Sequence, residues 1–159
     1  MIRPIAVVTS LVMAFSVLNI KAAAPMDYHD YAAICELSEE EFILFSSVVE
    51  AESDRSVPSE GLTTEGRIYI ALTIWNRVES DVWPDTVTGV LTQSGQFSTV
   101  RNGASVTNRT EWSDRAVYEA FAWRYGKGSD APDVQFFNCR GYFSGREPVA
   151  YVGGNYFSR

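Results

Sequence analysis

The stretch from Ser38 to Glu52 constrains the fold most, because it combines a helix start signal with a helical apolar pattern. Ser38 is followed three residues later by a glutamate, which is the arrangement of a capping box. Phe42, Phe45 and Val49 then recur at steps of three or four residues, and Glu52 continues the same stripe. The spacing predicts a helix whose buried face ends at a carboxylate.

The rest of the chain alternates helical patterns with polar loops and ends in short extended pieces. We read residues 25–37 as a loose lead-in, and residues 53–63 and 93–110 as loops rich in turn residues. Helices are predicted at about 64–79, 86–91 and 113–125, and short strands within DVQFFNC and EPVAYVGGNYFSR. The fold class expected is α+β and α-rich, in a single domain of 38–159 with a substrate cleft.

Residue counts exclude several kinds of catalytic site. The chain has one histidine, His29, and two cysteines, Cys35 and Cys139. A zinc site built from several histidines and cysteines therefore cannot be assembled, and a nucleophile–histidine site would depend on His29 alone. No glycine-rich phosphate-binding motif is present, and no cofactor or metal is indicated. The 20 aspartates and glutamates are the remaining candidates for strong chemistry.

Residues 1–24 resemble a secretory signal peptide. Arg3 precedes an apolar stretch from Ile5 to Leu18, and Ala22 and Ala24 offer a cleavage site before residue 25. The alternative is an uncleaved anchor, although the apolar run is shorter than the roughly 20 residues that span a bilayer. In either case we expect the domain to lie outside the cytoplasm, secreted to the cell wall or periplasm.

The formal net charge of −7 excludes a large class of partners. A nucleic-acid-binding protein needs a basic surface that replaces phosphate counterions, and none is present, so no nucleic acid partner is expected. For an exported protein, two cysteines suggest one disulfide, Cys35–Cys139. Such a bridge would close a loop of about 100 residues and stabilise the fold by several kcal/mol.

Glu52 is the carboxylate best placed for catalysis. It follows an apolar helix, lies at the negative end of the helix dipole and precedes a loop. Apolar neighbours and the dipole both favour the protonated form of a carboxyl group, which is the form a general acid uses. An exposed glutamate at a helix end remains the alternative interpretation.

Five blocks of sequence together resemble a known family. These blocks are VVEAES, EGRIYIALTIWNRV, QSGQFSTV, FFN and VGGNYF, in that order and over roughly residues 38–158. The combination is similar to the spore-cortex-lytic (SleB-like) cell-wall hydrolases. The resemblance implies a lysozyme-like fold and the cleavage of peptidoglycan glycan strands.

The resemblance also implies site residues. Glu52 matches the family's catalytic glutamate, Ser53 follows it, and Glu65 with Gly66 matches a glutamate-glycine pair at the start of the second block. The expected substrate-binding residues are polar or aromatic groups in the matched blocks: Ser53, Gln96, Phe97, Ser98, Phe137, Asn138, Asn155 and Tyr156. We expect Trp75 to lie in the core, Asn76 to close its helix, and Phe97, Phe137 and Tyr156 to line either groove or core.

The last block departs from the family pattern. Asn155 stands where the family has histidine, and Ser158 where a tyrosine is common. Asparagine can exchange hydrogen bonds but cannot be protonated, so an acid–base role of that histidine would be lost.

These residues leave three functions open. The first is a secreted lytic transglycosylase that cuts the MurNAc–GlcNAc β-1,4 bond with Glu52 alone. The second is a muramidase-type hydrolase that uses Glu65 as a base. The third is a catalytically impaired wall-binding protein, motivated by Asn155. A monomer is expected, and a separate protein could target it to the wall.

Overall fold

The computed structural model describes residues 26–53, 62–97, 100 and 108–159. Five helices occur in this part of the chain: α1 (Tyr28–Ile34), α2 (Glu39–Glu52), α3 (Leu62–Val78), α4 (Val87–Thr92) and α5 (Glu111–Tyr125). Three short strands follow: β1 (Phe136–Asn138), β2 (Pro148–Val152) and β3 (Asn155–Ser158). The predicted signal peptide lies outside the described residues.

The predicted capping box at the start of α2 is confirmed. The Ser38 side chain accepts from the backbone N–H of Glu41, and the Glu41 carboxylate accepts from the Ser38 backbone N–H. Phe42, Phe45 and Val49 are fully buried, as their spacing indicated. Of the predicted helices, α3, α4 and α5 begin and end within two residues of the expected positions.

Part of the expected loose lead-in is instead the helix α1. Asp27 and Asp30 form a capping box at its start. Tyr31 stacks on Tyr118 of α5, with ring centres 5.1 Å apart, and Ala32 is buried. A seven-residue helix has little stability alone, so these contacts with the rest of the domain hold it in place.

The core is built around α3, which packs against α2, α4 and α5. Trp75 is buried, as predicted, and every residue from Ile70 to Arg77 is buried with it. Two full turns of α3 are therefore covered on all sides, which makes α3 the central helix of the domain.

The sheet is antiparallel with strand order β1-β3-β2. Phe157 of the central strand is fully buried, and its ring centre lies 5.1 Å from that of Tyr69 on α3 and 5.7 Å from that of Phe137 on β1. The Asn76 side-chain amide donates to the carbonyl oxygens of Pro132 and Val134, both at 3.0 Å. These contacts attach the segment before β1 to the end of α3, so Asn76 has a structural role, but it joins two segments instead of closing its own helix as expected.

None of the helices in the described ranges is both long and apolar enough to cross a membrane.

Candidate active site

A cleft of about 550 Å³ lies where the ends of α2 and α3 meet the sheet. Its volume is in the range of sites that bind small molecules or short polymer segments. The lining combines one acid, two arginines and several aromatic rings: Glu52, Arg77, Trp83, Gly95, Gln96, Phe97, Phe136, Phe137, Phe143, Ser144 and Arg146.

Glu52 is the last residue of α2 and is half-buried. Among the described residues that line the cleft, it is the only carboxylate. The Ser53 hydroxyl donates to the carbonyl oxygen of Val49 at 2.7 Å, and the Ser53 backbone N–H donates to the same oxygen at 3.1 Å. Ser53 thus closes the final turn of α2, which fixes the helix end that carries Glu52.

Glu50 has a different environment from Glu52, and no sequence pattern singled it out. It is 6% exposed and accepts two hydrogen bonds from the Arg67 guanidinium, at 2.8 and 2.9 Å. It also accepts one from the Thr110 hydroxyl at 2.9 Å. Glu50 therefore joins α2 to α3 and to the start of α5.

Arg77 is a cleft residue whose importance the sequence did not indicate, although it belongs to a matched motif. Its Nε donates to the Gln135 carbonyl oxygen at 2.8 Å, and one terminal nitrogen donates to the Gln96 side-chain oxygen at 3.1 Å. The guanidinium carbon lies 4.2 Å from the centre of the Trp83 ring. Burial lowers the pKa of Arg77 to about 10, so it remains a cation at neutral pH.

Three predicted substrate-binding residues line the cleft. Gln96 is held there by Arg77, Phe97 is 4% exposed, and Phe137 is half-buried on β1. Phe97 and Phe137 therefore belong both to the edge of the core and to the cleft wall.

The other predicted site residues lie elsewhere. The Asn138 side chain accepts from the backbone N–H of Arg140 at 3.0 Å, and Tyr156 packs on Tyr151 with ring centres 4.5 Å apart. Asn155 is 4% exposed at the start of β3, and Glu65 is exposed on the first turn of α3. These residues are not among those that line the cleft. Ser98 lies outside the described residues.

The predicted disulfide is absent, because both cysteines are free thiols. Cys35 ends α1 and is buried among helices, whereas Cys139 follows β1 and is exposed. The two residues belong to different parts of the domain, so the disulfide prediction is wrong. Burial raises the pKa of the Cys35 thiol to about 12. In the described ranges, no group of three or more His, Cys, Asp or Glu side chains could hold a metal ion.

A cleft that combines a carboxylate with aromatic walls can hold a sugar chain and place an acid beside it. The sequence profile of the family described as Cell Wall Hydrolase matches residues 61–147, more than half of the chain. The chain belongs to the cell wall hydrolase family. This membership confirms the family predicted from the five sequence blocks, and it identifies the protein as a wall-cleaving enzyme.

Two solved structures are similar over most of the domain. One is the catalytic domain of the germination-specific lytic transglycosylase SleB from Bacillus anthracis, with 22% identity and a TM-score of 0.61. It covers 77% of this chain and 96% of that one. The other is the catalytic domain of SleB from Bacillus cereus, with 22% identity, a TM-score of 0.60, and coverage of 77% and 91%.

The likeness confirms the α-rich, lysozyme-like fold expected from the sequence. A search of curated proteins found no match. The family match begins at residue 61, after Glu52, so it does not bear on the role predicted for Glu52.

Proposed function

We propose that the protein is a lytic transglycosylase that cleaves the β-1,4 bond between N-acetylmuramic acid and N-acetylglucosamine in peptidoglycan, with Glu52 as both acid and base. The observation that carries this proposal is the single carboxylate among the described residues of the cleft lining. Hydrolysis with the usual pair of carboxylates needs a second one across the bond, whereas transglycosylation does not.

The reaction balances with one carboxyl group. Protonated Glu52 donates its proton to the glycosidic oxygen as the bond from that oxygen to C1 of the muramyl residue breaks. The ionised carboxylate then takes the proton of the muramyl C6 hydroxyl, and O6 forms a bond to C1. The products are a free C4 hydroxyl and a 1,6-anhydromuramyl end, no water is consumed, and Glu52 is again protonated.

The aromatic walls suit this substrate. Trp83, Phe136 and Phe143 line the cleft with Phe97 and Phe137. Aromatic faces pack on the apolar faces of sugar rings, while amides such as Gln96 exchange hydrogen bonds with N-acetyl groups. The cleft therefore contains both the aromatic rings and the polar groups that would bind this substrate.

The hydrolase alternative assigns the second role to Glu65. Its exposed position at the start of α3, away from the residues that line the cleft, supports the transglycosylase instead. The impaired-protein alternative rests on Asn155 in place of histidine. Asn155 is buried on β3 and is not among the described residues that line the cleft, which supports the active enzyme over the impaired protein.

The test is mass spectrometry of soluble fragments after residues 25–159 act on peptidoglycan, beside Glu52→Gln and Glu65→Gln. We expect anhydromuramyl ends from the unmodified protein and from Glu65→Gln. Glu52→Gln should lower the rate by about 100-fold or more, since general acid–base catalysis contributes that much, and should leave the thermal midpoint unchanged. Reducing muramyl ends that disappear in Glu65→Gln would favour the hydrolase, and no fragments from any protein would favour the wall-binding role.

We also propose that residues 1–24 direct export and are removed. Their order of basic residue, apolar stretch and small residues at 22 and 24 supports this role. The test is intact-mass measurement of the protein recovered from the extracytoplasmic fraction. A chain beginning at Pro25 is expected, and a full-length, membrane-bound chain would favour the anchor.

A further inference from the structure

We propose that Arg146, held on the face of Phe136, forms a subsite that binds a carboxylate group of the glycan strand. The inference rests on the proposed function, because it concerns the same cleft and the same substrate. It adds that the enzyme recognises a carboxylate group of that substrate. It assigns a specificity-determining residue that touches the strand away from the bond that breaks.

The charge of the cleft is opposite to that of the chain. The protein carries 20 acidic and 13 basic residues, a net charge of −7. The described cleft lining has two arginines, Arg77 and Arg146, against one carboxylate, Glu52. In the proposed reaction Glu52 is protonated when the substrate binds, so the lining then carries two positive charges. A neutral sugar chain would form no charge-assisted hydrogen bonds with these arginines, whereas a carboxylate group would.

The two arginines differ in what they can still bind. The Nε of Arg77 and one of its terminal nitrogens donate to Gln135 and Gln96, so this guanidinium organises the cleft. Arg146 has its guanidinium carbon 4.1 Å from the centre of the Phe136 ring. An arginine stacked in this way keeps its N–H groups, which lie in the guanidinium plane, available for bidentate binding of a carboxylate.

The neighbouring acid does not neutralise Arg146. Glu147 instead accepts from Arg159, with 2.7 Å between Oε2 and Nη2. In the described parts of the chain no carboxylate forms an ion pair with Arg146. Ser144 lies in the same part of the cleft lining and adds a hydroxyl. Within the described residues, the position therefore combines a cation that has no carboxylate partner with a hydrogen-bonding group.

Peptidoglycan offers a carboxylate from two sources. In strands without peptides, the lactyl group of each muramyl residue ends in a free carboxylate. In strands with peptides, that carboxylate is an amide and the anionic groups belong to the stem peptide. The recognition chemistry is the same in both cases, so the experiment separates the sources.

The test measures binding with Glu52→Gln, so that the ligand is not consumed, and adds Arg146→Gln to it. The probes are peptide-free muramyl oligosaccharides, the same oligosaccharides with their carboxylates converted to amides, and peptide-bearing oligosaccharides. Loss of a charge-assisted hydrogen-bonded pair should weaken binding of a carboxylate-bearing ligand by about 10- to 100-fold. The amidated ligand should bind both proteins equally.

Arg124→Gln is the matched control. Arg124 also lies near an aromatic ring, 5.6 Å from the centre of Tyr125, but outside the cleft lining. The variant that combines Arg124→Gln with Glu52→Gln should bind every ligand with the same affinity as Glu52→Gln alone. Arg146→Lys should restore part of the affinity, since it keeps the charge without the planar fork. Circular dichroism of each variant checks that the fold is intact.

Each outcome decides a part of the proposal. An effect on peptide-free strands assigns the lactyl carboxylate, and an effect only on peptide-bearing strands assigns the stem peptide. Equal losses for charged and amidated ligands, or no loss at all, overturn the subsite. Failure of the proposed function is seen separately, as an unmodified protein that binds these ligands but releases no anhydromuramyl ends.

Discussion

Glu50 and Glu52 lie two positions apart on α2, and a helix directs such residues to different sides. Glu50 is paired with Arg67 inside the domain, and Glu52 lines the cleft. The side chains of Glu50 and Arg67 are 8% and 11% exposed, so each would be costly to leave unpaired. Glu50 is thus a positioning residue, because it fixes the helical turn that carries the proposed acid.

Glu50→Ala should lower the free energy of unfolding by about 3–5 kcal/mol, because it leaves the Arg67 cation buried without its partner. Urea denaturation measures this change. Glu147→Ala, which removes an exposed ion pair with Arg159, is the matched control and should cost under about 1 kcal/mol. Equal costs for the two variants would show that the Glu50 pair does not fix the end of α2.

The two thiols should react at different rates. The thiolate is the reactive form, and burial raises the pKa of Cys35 to about 12, so at pH 8 roughly one Cys35 in ten thousand is ionised. Iodoacetamide should therefore label the exposed Cys139 in the native protein and reach Cys35 only after unfolding. Mass spectrometry of the labelled peptides gives the result, and a chain that takes no label until it is reduced would contain the disulfide after all.

At the scale of single residues, the sequence indicated the cleft carboxylate and three of the residues that line the cleft with it, but not Arg77 or the Glu50 ion pair. Glu52 could be predicted from the sequence because its position on the apolar stripe depends only on the spacing of residues within α2. Arg77 and Glu50 could not, because their roles depend on Gln135, Arg67 and Thr110, which are distant in the chain. Side-chain contacts of this kind leave no pattern of their own in the sequence.

At the scale of elements, caps and apolar spacing predicted α2 to α5 well. The helix α1 was missed because it is short and its stability comes from packing of Tyr31 on Tyr118. The short strands were expected, but their order β1-β3-β2 was not, because it depends on pairing between segments that are distant in the chain.

Gly66 of α3 lies against the turn between β2 and β3. A Cβ atom placed there would lie 2.9 Å from the Cα of Gly153, in the turn between β2 and β3. Helix propensity alone predicts that Gly66→Ala gains up to about 1 kcal/mol. We expect the opposite, a loss of about 1–3 kcal/mol, because backbone must move to admit the methyl group.

Thermal unfolding of Gly66→Ala decides between these signs. A lower thermal midpoint is expected, and Gly66→Val should lower it further. A higher midpoint for Gly66→Ala would mean that the turn shifts at no cost and that the helix does not rest on the sheet at this point.

At the scale of the whole molecule, helices and sheet share one core through Phe157. Phe157→Ala should lower the free energy of unfolding by about 3–5 kcal/mol. Circular dichroism of the helices and tryptophan fluorescence should still report one common transition, since both depend on the same core. Two separate transitions would show that the sheet is an independent unit.

The cleft itself is a property of the whole molecule. Its lining comes from the end of α2, the end of α3, the segment between α3 and α4, the segment after α4, the strand β1 and the segment before β2. The order of the sequence blocks indicated which segments belong to the family. It could not indicate that Asn155 and Glu65 lie away from the lining while Arg146 is part of it, because that depends on how the segments fold together.

The attachment of the sheet to α3 has an evolutionary consequence. Asn76 and Arg77 bind main-chain carbonyl groups, and Gly66 faces the backbone of Gly153. Because these contacts are made to main-chain atoms, they do not depend on which side chains the other segment carries. Exposed positions of the strands can therefore change while the frame keeps its shape, whereas the buried Phe157 is constrained by the core. A TM-score of 0.61 at 22% identity agrees with a frame held in this way.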